Sequence, residues 1–375
     1  MNTLEHIEID GFKSIKHTNL RLGKINVLIG ANGAGKSNFI SLFKMLNFMT
    51  TESLQVFVLR SGGANSLLYY GSQKTPRMFA QLTFRTDTGI DTYYVRLSDA
   101  APDTLIFVEE KILFQRDEST KPKEILLGSG HKETKLNEFA ERGDKTVIVI
   151  RRILRDCQVF QFHDTSENSR IRKEAYINDN RFLYKDAGNL AAYLYMLKER
   201  HPESYKRIVS TIKLAAPHFQ DFVLEPSKLN PNNIILNWKE LGSEYLFGPH
   251  QLPDGLIRFI SLVTLLLQPR ENLPDVIIID EPELGLHPSA INLLGALLRE
   301  VSQCCQVIMA TQSVNLVDQF EPEDIVILER KKVNNQNEFS TEAKRLDREE
   351  LKSWLEEYTL SELWQKNLLG GRPGK

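Results

Sequence analysis

Gly30-Ala31-Asn32-Gly33-Ala34-Gly35-Lys36-Ser37 lies between two apolar runs, and its reading decides the fold. Ile25, Val27, Leu28 and Ile29 before it read as a short buried strand. Phe39, Ile40, Leu42, Phe43, Leu46 and Phe48 after it recur at helical spacing. Strand, glycine-rich turn and helix together match the phosphate-loop pattern G-x-x-x-x-G-K-[ST]. The glycines let the backbone curl until its N–H groups converge as an anion nest, and the new helix adds its positive end. Lys36 is expected to reach the β- and γ-phosphates of a nucleotide, and Ser37 to hold Mg²⁺.

Far downstream, Val276-Ile277-Ile278-Ile279 reads as an apolar strand ending in Asp280-Glu281-Pro282, the carboxylate motif that partners a phosphate loop. Asp280 is expected in the Mg²⁺ shell. Glu281 is placed as the general base, or the residue that orients water, for attack on the γ-phosphate. A second apolar strand follows over 304–310 and ends in Thr311-Gln312-Ser313.

The totals bound the rest. The chain has 375 residues, enough for one large or two modest domains. Lys and Arg number 47 against 49 Asp and Glu, so no global charge draws it to nucleic acid, and any such binding must use a local patch. Cys157, Cys304 and Cys305 form neither a disulfide framework nor a metal spacing and fit a reducing compartment. Met1-Asn2-Thr3-Leu4-Glu5 lacks the basic-then-apolar order of a signal peptide. The most apolar long run, 256–267, is interrupted by Arg258 and too short to span a bilayer. A cytoplasmic protein without membrane contact is expected.

Along the chain, residues 4–9 alternate as a strand, Gly11-Phe12-Lys13-Ser14-Ile15 turns it, and 18–22 and 24–29 are expected to continue the same sheet into the loop. Residues 78–85, 91–97 and 105–114 read as successive antiparallel strands. Residues 116–145, charged and glycine-containing, read as an exposed, mobile connection, and 146–150 as a further strand. Residues 189–200 and 202–216 carry apolar spacings of two helices, with Pro202 suited to a first turn. Residues 325–331 and 339–345 read as a hairpin turned by 333–337, and Arg330-Lys331-Lys332 as a solvated strand end. Leu351, Trp354, Leu355, Tyr358, Leu360, Leu363 and Trp364 form an amphipathic pattern. Gly370-Gly371-Arg372-Pro373-Gly374-Lys375 is expected to be flexible.

Gly11-Phe12-Lys13-Ser14, the loop from Gly30 to Asn38 and the Asp280-Glu281-Pro282 strand together resemble the ABC-type ATPases of the RecF/SMC/OLD group, and Asn32 and Asn38 match that group's form of the loop. The resemblance covers nearly the whole chain and is loose at 60–245. It implies an α/β fold: an ABC-type P-loop NTPase with a mixed central sheet, an antiparallel β-meander arm and a small inserted helical subdomain. The corresponding segments are a first ATPase lobe at 1–165, a helical and connecting insert at 166–250, a second lobe at 251–346 and a helical tail at 347–375. SMC proteins carry a long coiled coil at the insert. No sustained heptad run exists here, so a compact ATPase is expected.

The resemblance also implies roles. Gly30, Ala31, Asn32, Gly33, Ala34, Gly35, Lys36, Ser37 and Asn38 would cradle the nucleotide, with Lys13 beside it. A glutamine after the meander would contact Mg²⁺, and Gln158, Gln161 or His163 could serve. Leu252-Pro253-Asp254-Gly255 stands where relatives carry the signature Leu-Ser-Gly-Gly-Gln or Leu-Ser-Asp-Gly-Thr. Gly255 would offer its N–H to a γ-phosphate on an opposing subunit. Pro253 replaces the serine whose hydroxyl reaches that phosphate, which weakens the contact. Glu283-Leu284-Gly285-Leu286-His287-Pro288 resembles the D-loop that senses the neighbouring site. Relatives carry Thr-His-Ser where this chain has Thr311-Gln312-Ser313. Gln312 can hydrogen-bond the phosphate or the water but cannot carry a proton, so slow or conditional hydrolysis is expected.

The tail Leu360-Ser361-Glu362-Leu363-Trp364 followed by Gly370-Gly371-Arg372-Pro373 looks like that of bacterial AAA-21 type ATPases, which often occur beside a separately encoded partner. The reading is an ATPase using ATP and Mg²⁺. It would form a homodimer or higher oligomer and control a separate effector, in anti-phage defence by family analogy. The alternatives are a RecF-like clamp on DNA and an ATP-gated scaffold that scarcely hydrolyses. No Toprim nuclease domain, helix-turn-helix or zinc motif is visible.

Overall fold

The computed structural model describes residues 2–117, 121–333 and 338–371. The chain opens with β1 (Thr3–Phe12), β2 (Ile15–Arg21) and β3 (Ile25–Ile29), and the glycine-rich loop leads into α1 (Lys36–Thr50). Two short helices, α2 (Leu54–Arg60) and α3 (Ala64–Leu67), precede the meander β4 (Arg77–Thr86), β5 (Gly89–Ala100), β6 (Thr104–Arg116) and β7 (Lys123–Gly128). Then come α4 (Leu136–Glu141), α5 (Lys145–Asp156), β8 (Cys157–Phe160), β9 (Ala175–Tyr176), α6 (Leu190–Arg200) and α7 (Pro202–Ala215). Strands β10 (Phe219–Val223), β11 (Asn233–Ile234) and β12 (Asn237–Glu240) lead to α8 (Asp254–Leu267) and β13 (Val276–Asp280). The last third runs α9 (Pro288–Val301), β14 (Gln306–Ala310), α10 (Val314–Val317), β15 (Ile325–Lys332), β16 (Phe339–Arg345), α11 (Arg348–Leu355) and α12 (Leu360–Gln365).

Two six-stranded sheets organise these elements. The core sheet has the order β16-β15-β3-β14-β13-β8, parallel except for the β15–β16 hairpin. The arm sheet, β2-β1-β4-β5-β6-β7, is antiparallel throughout. The central strands β3, β13 and β14 are buried on both faces, and alternation sorts their side chains. Val27, Ile277, Ile279, Val307 and Met309 join a cluster with α6, α7, α8 and α9. Leu28, Ile278, Ile308 and Val326 face the other way, onto α1, α5 and the arm sheet. The longest helix among the described residues that precedes the insert, α1, has 15 residues. No helix among the described residues is long and apolar enough to cross a membrane.

Four expectations are corrected. β1 and β2 do not continue into β3; they belong to the arm sheet, while β3 is in the centre of the core sheet. Residues 146–150 are helical within α5, not a strand. Asp144 caps that helix, its carboxylate accepting the N–H groups of Thr146 at 2.9 Å and Val147 at 3.2 Å. Val147, Ile150, Ile153 and Leu154 then bury one face, which outweighs the strand preference of a β-branched run. The stretch 116–145 is built into the arm through β7 and α4. Buried Glu110 of β6 fastens it, accepting from Tyr93 Oη at 2.7 Å, from Lys135 N at 3.1 Å and from the Thr134 hydroxyl. Finally, Gly371 is buried against the glycine-rich loop rather than free. The turn expected at 334–337, the remaining tail 372–375 and residues 118–120 lie outside the described residues. The three antiparallel strands, the helices α6 and α7 with Pro202 at the start of α7, and the final hairpin stand as read.

Candidate nucleotide site

The carboxyl ends of three neighbouring parallel strands build the site. Ala310 of β14 is level with Leu28 of β3 on one side and with Asp280 of β13 on the other. Two strand spacings, about 10 Å, therefore separate the exits of β3 and β13. The loop leaving β3 and the carboxylates leaving β13 share one edge, the place where open α/β sheets bind ligands.

The loop is walled on several sides. Gly35 has φ +111, and a Cβ there would stand 2.3 Å from Thr341 Oγ1, so only glycine fits. Thr341 of β16 donates to the Ala34 carbonyl at 2.8 Å and also meets Ser14 Oγ at 2.8 Å. Asn38 donates its side-chain amide to the same Ser14 Oγ at 2.8 Å. Ser14, from the turn after β1, thus ties the arm sheet to the first turn of α1. The Lys36 ammonium folds back onto the carbonyls of Gly30 at 2.5 Å and Ala31 at 3.2 Å. Burial lowers its pKa, while the charges of Glu281, Asp280 and Glu283 raise it. Asn32, Gly33 and Ser37 are exposed at the mouth. These groups fit a phosphate chain and a divalent ion: a glycine-shaped backbone, an ammonium, an open hydroxyl at Ser37 and a carboxylate at Asp280.

Across the cleft, burial raises the pKa of Asp280 from its ordinary value. Gln161, just after β8, donates its side-chain amide to Asp280 Oδ2 at 3.2 Å. Its side-chain oxygen accepts from Lys44 Nζ of α1 at 2.7 Å. His163 Nε2 contacts the Asp280 carbonyl at 2.8 Å. Of the three post-meander candidates, Gln161 and His163 reach Asp280, and Gln158 and Gln161 both line an adjoining groove. Glu281 has φ +44, a left-handed backbone that costs energy in any residue carrying a Cβ and that clusters at functional sites. Its carboxylate accepts from Gln312 Nε2 at 2.6 Å, and Gln312 N donates to Glu283 Oε1 at 2.9 Å. Glu283 is itself held above its usual pKa by burial.

Lys13 lies in the turn that follows β1. It has φ +50, and its ammonium donates to Ser41 Oγ on α1 at 2.7 Å. Burial and the nearby Lys44 charge lower its pKa.

Asp254 and Gly255 open α8, and Gly255 lies against the turn that follows β13. A Cβ on Gly255 would come within 2.1 Å of the Gly285 carbonyl, so glycine is required for this close approach. Two arginines that sequence reasoning passed over hold the region. Arg172, buried, donates to the Thr165 carbonyl at 2.7 Å, the Leu252 carbonyl at 3.0 Å, the Pro249 carbonyl and Asp254 Oδ1 at 2.7 Å. That ion pair lowers the pKa of Asp254. Arg258 of α8 donates to the carbonyls of Phe162 at 3.3 Å, His163 at 2.9 Å and Leu284 at 3.3 Å. It joins the segment after β8 to the turn after β13. Lys44 was also missed. Its one local signal is a cation among the apolar residues of α1.

A family model described as "AAA domain, putative AbiEii toxin, Type IV TA system" matches residues 25–318. Among solved structures, an SMC head bound to the C-terminal winged-helix domain of ScpA superposes with a TM-score of 0.60 at 14% identity, covering 93% of this chain and 99% of that one. An SMC head with an extended coiled coil, bound to the C-terminal domain of ScpA and derived from Pyrococcus furiosus, gives 0.57 at 14% identity over 95% and 99%. At that identity the likeness shows the fold: the ABC-type P-loop ATPase architecture with a mixed core sheet. No curated protein matches the chain.

Proposed function

We propose, from the premise that this chain belongs to the AAA-domain family whose model spans most of it, that it binds and hydrolyses ATP, closes with a second copy around the nucleotide, and controls a separately encoded effector in bacterial anti-phage defence. The carrying observation is electrostatic and geometric. Lys36 lies where the charges of Asp280, Glu281 and Glu283 act on it, at one edge of the core sheet.

In this reading the backbone from Gly30 to Asn38 cradles the phosphates, and Lys36 leaves its own loop carbonyls to neutralise them. Lys13 supports from the arm turn. Ser37 and Asp280 would hold Mg²⁺, which when bound neutralises triphosphate charge; Gln161 fixes the Asp280 carboxylate. Glu281 takes the proton of the attacking water, and Gln312 orients Glu281 through its amide. Asp254 and Gly255, at the exposed start of α8, face the phosphates of a second copy. The family's description as a putative AbiEii toxin of a type IV toxin–antitoxin system supports a defence context.

Phosphate release and solution mass, measured with ATP and Mg²⁺, test this. Turnover that Lys36→Ala abolishes, and a dimer that ATP traps in Glu281→Gln, support it. A chain that binds no ATP contradicts it. If Lys36→Ala abolishes assembly while Glu281→Gln leaves turnover unchanged, the ATP-gated scaffold replaces it; Pro253 and Gln312 are the residues that favour that outcome.

A second reading, a clamp on nucleic acid, draws on one feature. An open groove of about 1130 Å³ behind Gln161 is lined by Lys44, Arg152, Arg155 and Lys185 together with Phe182 and Tyr184. Basic side chains beside aromatic faces suit phosphates and bases. ATP-dependent, salt-sensitive binding of an oligonucleotide would favour this reading.

A further inference from the structure

We propose that the C-terminal strap, residues 360–371, positions the phosphate-binding loop, with Gly371 as the positioning residue. The proposal rests on the nucleotide reading of that loop. The Gly371 carbonyl accepts the Ala31 N–H at 2.5 Å. The Gly30 and Ala31 carbonyls accept from Lys36 Nζ. The entrance of the loop is therefore held from both sides, by the strap outside and by Lys36 inside. The strap binds Ala31, ahead of α1, and leaves the N–H groups of the first turn of α1 to an anion.

The strap is seated firmly enough to act as a brace. Ser361 donates its N–H and its hydroxyl to the two carboxylate oxygens of Asp318, at 2.9 and 2.7 Å. Thr359 caps α12 in a reciprocal arrangement with Glu362. Leu363 and Trp364 are buried, and Leu369 packs on the core. At its end Gly371 has φ +78, and a Cβ there would stand 2.8 Å from Ile327 Cγ2 and 3.5 Å from Gly30 Cα. The positive φ and the tight approach to Ile327 make glycine the residue that seats the strap there. A loop held in its binding shape loses less freedom when the anion arrives, so strap and nucleotide favour each other.

Calorimetric ATP affinity with Mg²⁺, and hydrogen exchange at the Ala31 amide, test the inference on the full chain, a chain ending at Leu369, and Gly371→Ala. Truncation removes one hydrogen bond and its ordering effect, so ATP should bind about fivefold to tenfold more weakly. The Ala31 amide should exchange faster without ATP, at an unchanged melting temperature. Gly371→Ala should match the truncation, and ATP should slow exchange across 360–371 in the full chain. Equal ATP affinity in the truncated and full chains overturns the proposal. If the full chain binds no ATP, the nucleotide reading fails by itself. The ATP-free exchange at Ala31 then decides the brace: faster in the truncated chain supports it, and unchanged overturns it.

Discussion

Gln312 donates its side-chain amide to the Glu281 carboxylate at 2.6 Å, linking the ends of β14 and β13. A carboxylate held by a neutral amide keeps its lone pairs aimed and its charge intact, as a base for water requires. Glu281→Gln should lower turnover by about a hundredfold or more while ATP still binds. Gln312→Ala should lower it by about tenfold, since orientation is lost and the base remains. Steady-state phosphate release checks both. Unchanged turnover in Gln312→Ala removes Gln312 from the reaction.

The backbone of Glu281 is strained, with φ +44. Glycine relieves that conformation and also removes a negative charge beside Asp280 and Glu283. Glu281→Gly should stabilise the fold by about 1 kcal/mol and abolish turnover, a trade of stability against function. Urea unfolding beside an ATPase assay reads both effects. Destabilisation by glycine would show that the left-handed turn costs nothing here.

Gln161 and Gln158 should separate cleanly. Both line the groove, but Gln161 also bridges Lys44 to Asp280. Gln161→Ala should raise the Mg²⁺ concentration needed for half-maximal turnover by about tenfold, the usual scale for a residue that orients a metal ligand. Gln158→Ala should leave it in place. A titration of turnover against Mg²⁺ distinguishes them, and the reverse pattern would move the role to Gln158.

Arg172 is buried, and its guanidinium serves three carbonyls and Asp254. Removing it leaves the three carbonyls without that donor in the interior, while exposed Asp254 turns to water. Arg172→Met should cost about 3 kcal/mol, and Arg172→Lys should recover little, because an ammonium cannot fork across the same partners. Denaturant midpoints check this. A loss within experimental error would mean that the turn before α8 holds itself.

Asp156 carries a pH dependence with a definite sign. Burial and the neighbouring Asp275 push its pKa up to about 6, against the opposing pull of Arg152 and Arg155. Between the unfolded carboxylate value near 4 and about 6, the folded state binds more protons than the unfolded one. Stability from this group therefore falls as pH rises through that window. Asp156→Asn should gain about 1 kcal/mol at pH 7.5, screening at a half-exposed group reducing the full shift, and nothing at pH 4. Melting curves at both values test the difference between the two proteins.

The parts legible in the sequence are those with local signals. The glycine-rich loop, the apolar strand ending at Asp280 and the alternating strands of the arm each carry their pattern in one short run. The errors fall where distant contacts decide. Thr146-Val147-Ile148-Val149-Ile150 favours a strand by composition, but Asp144 caps a helix whose apolar face packs on the arm. β1 and β3 are neighbours in sequence yet enter different sheets, a choice made by β4 and β14. Arg172, Arg258 and Gly371 act as single residues through backbone groups far along the chain, and no spacing in the sequence announces them.

The central claim is that Lys36, which opens α1 after β3, and Asp280, which ends β13, share one magnesium-bound triphosphate. The direct measurement is calorimetric titration of ATP into wild-type, Lys36→Ala and Asp280→Asn protein, each with Mg²⁺ and with a chelator. The account predicts one site per chain in the wild type, a loss of about a hundredfold in Lys36→Ala, and in Asp280→Asn an affinity that no longer responds to Mg²⁺. Wild-type affinity in Lys36→Ala, or an unaltered Mg²⁺ response in Asp280→Asn, would contradict it.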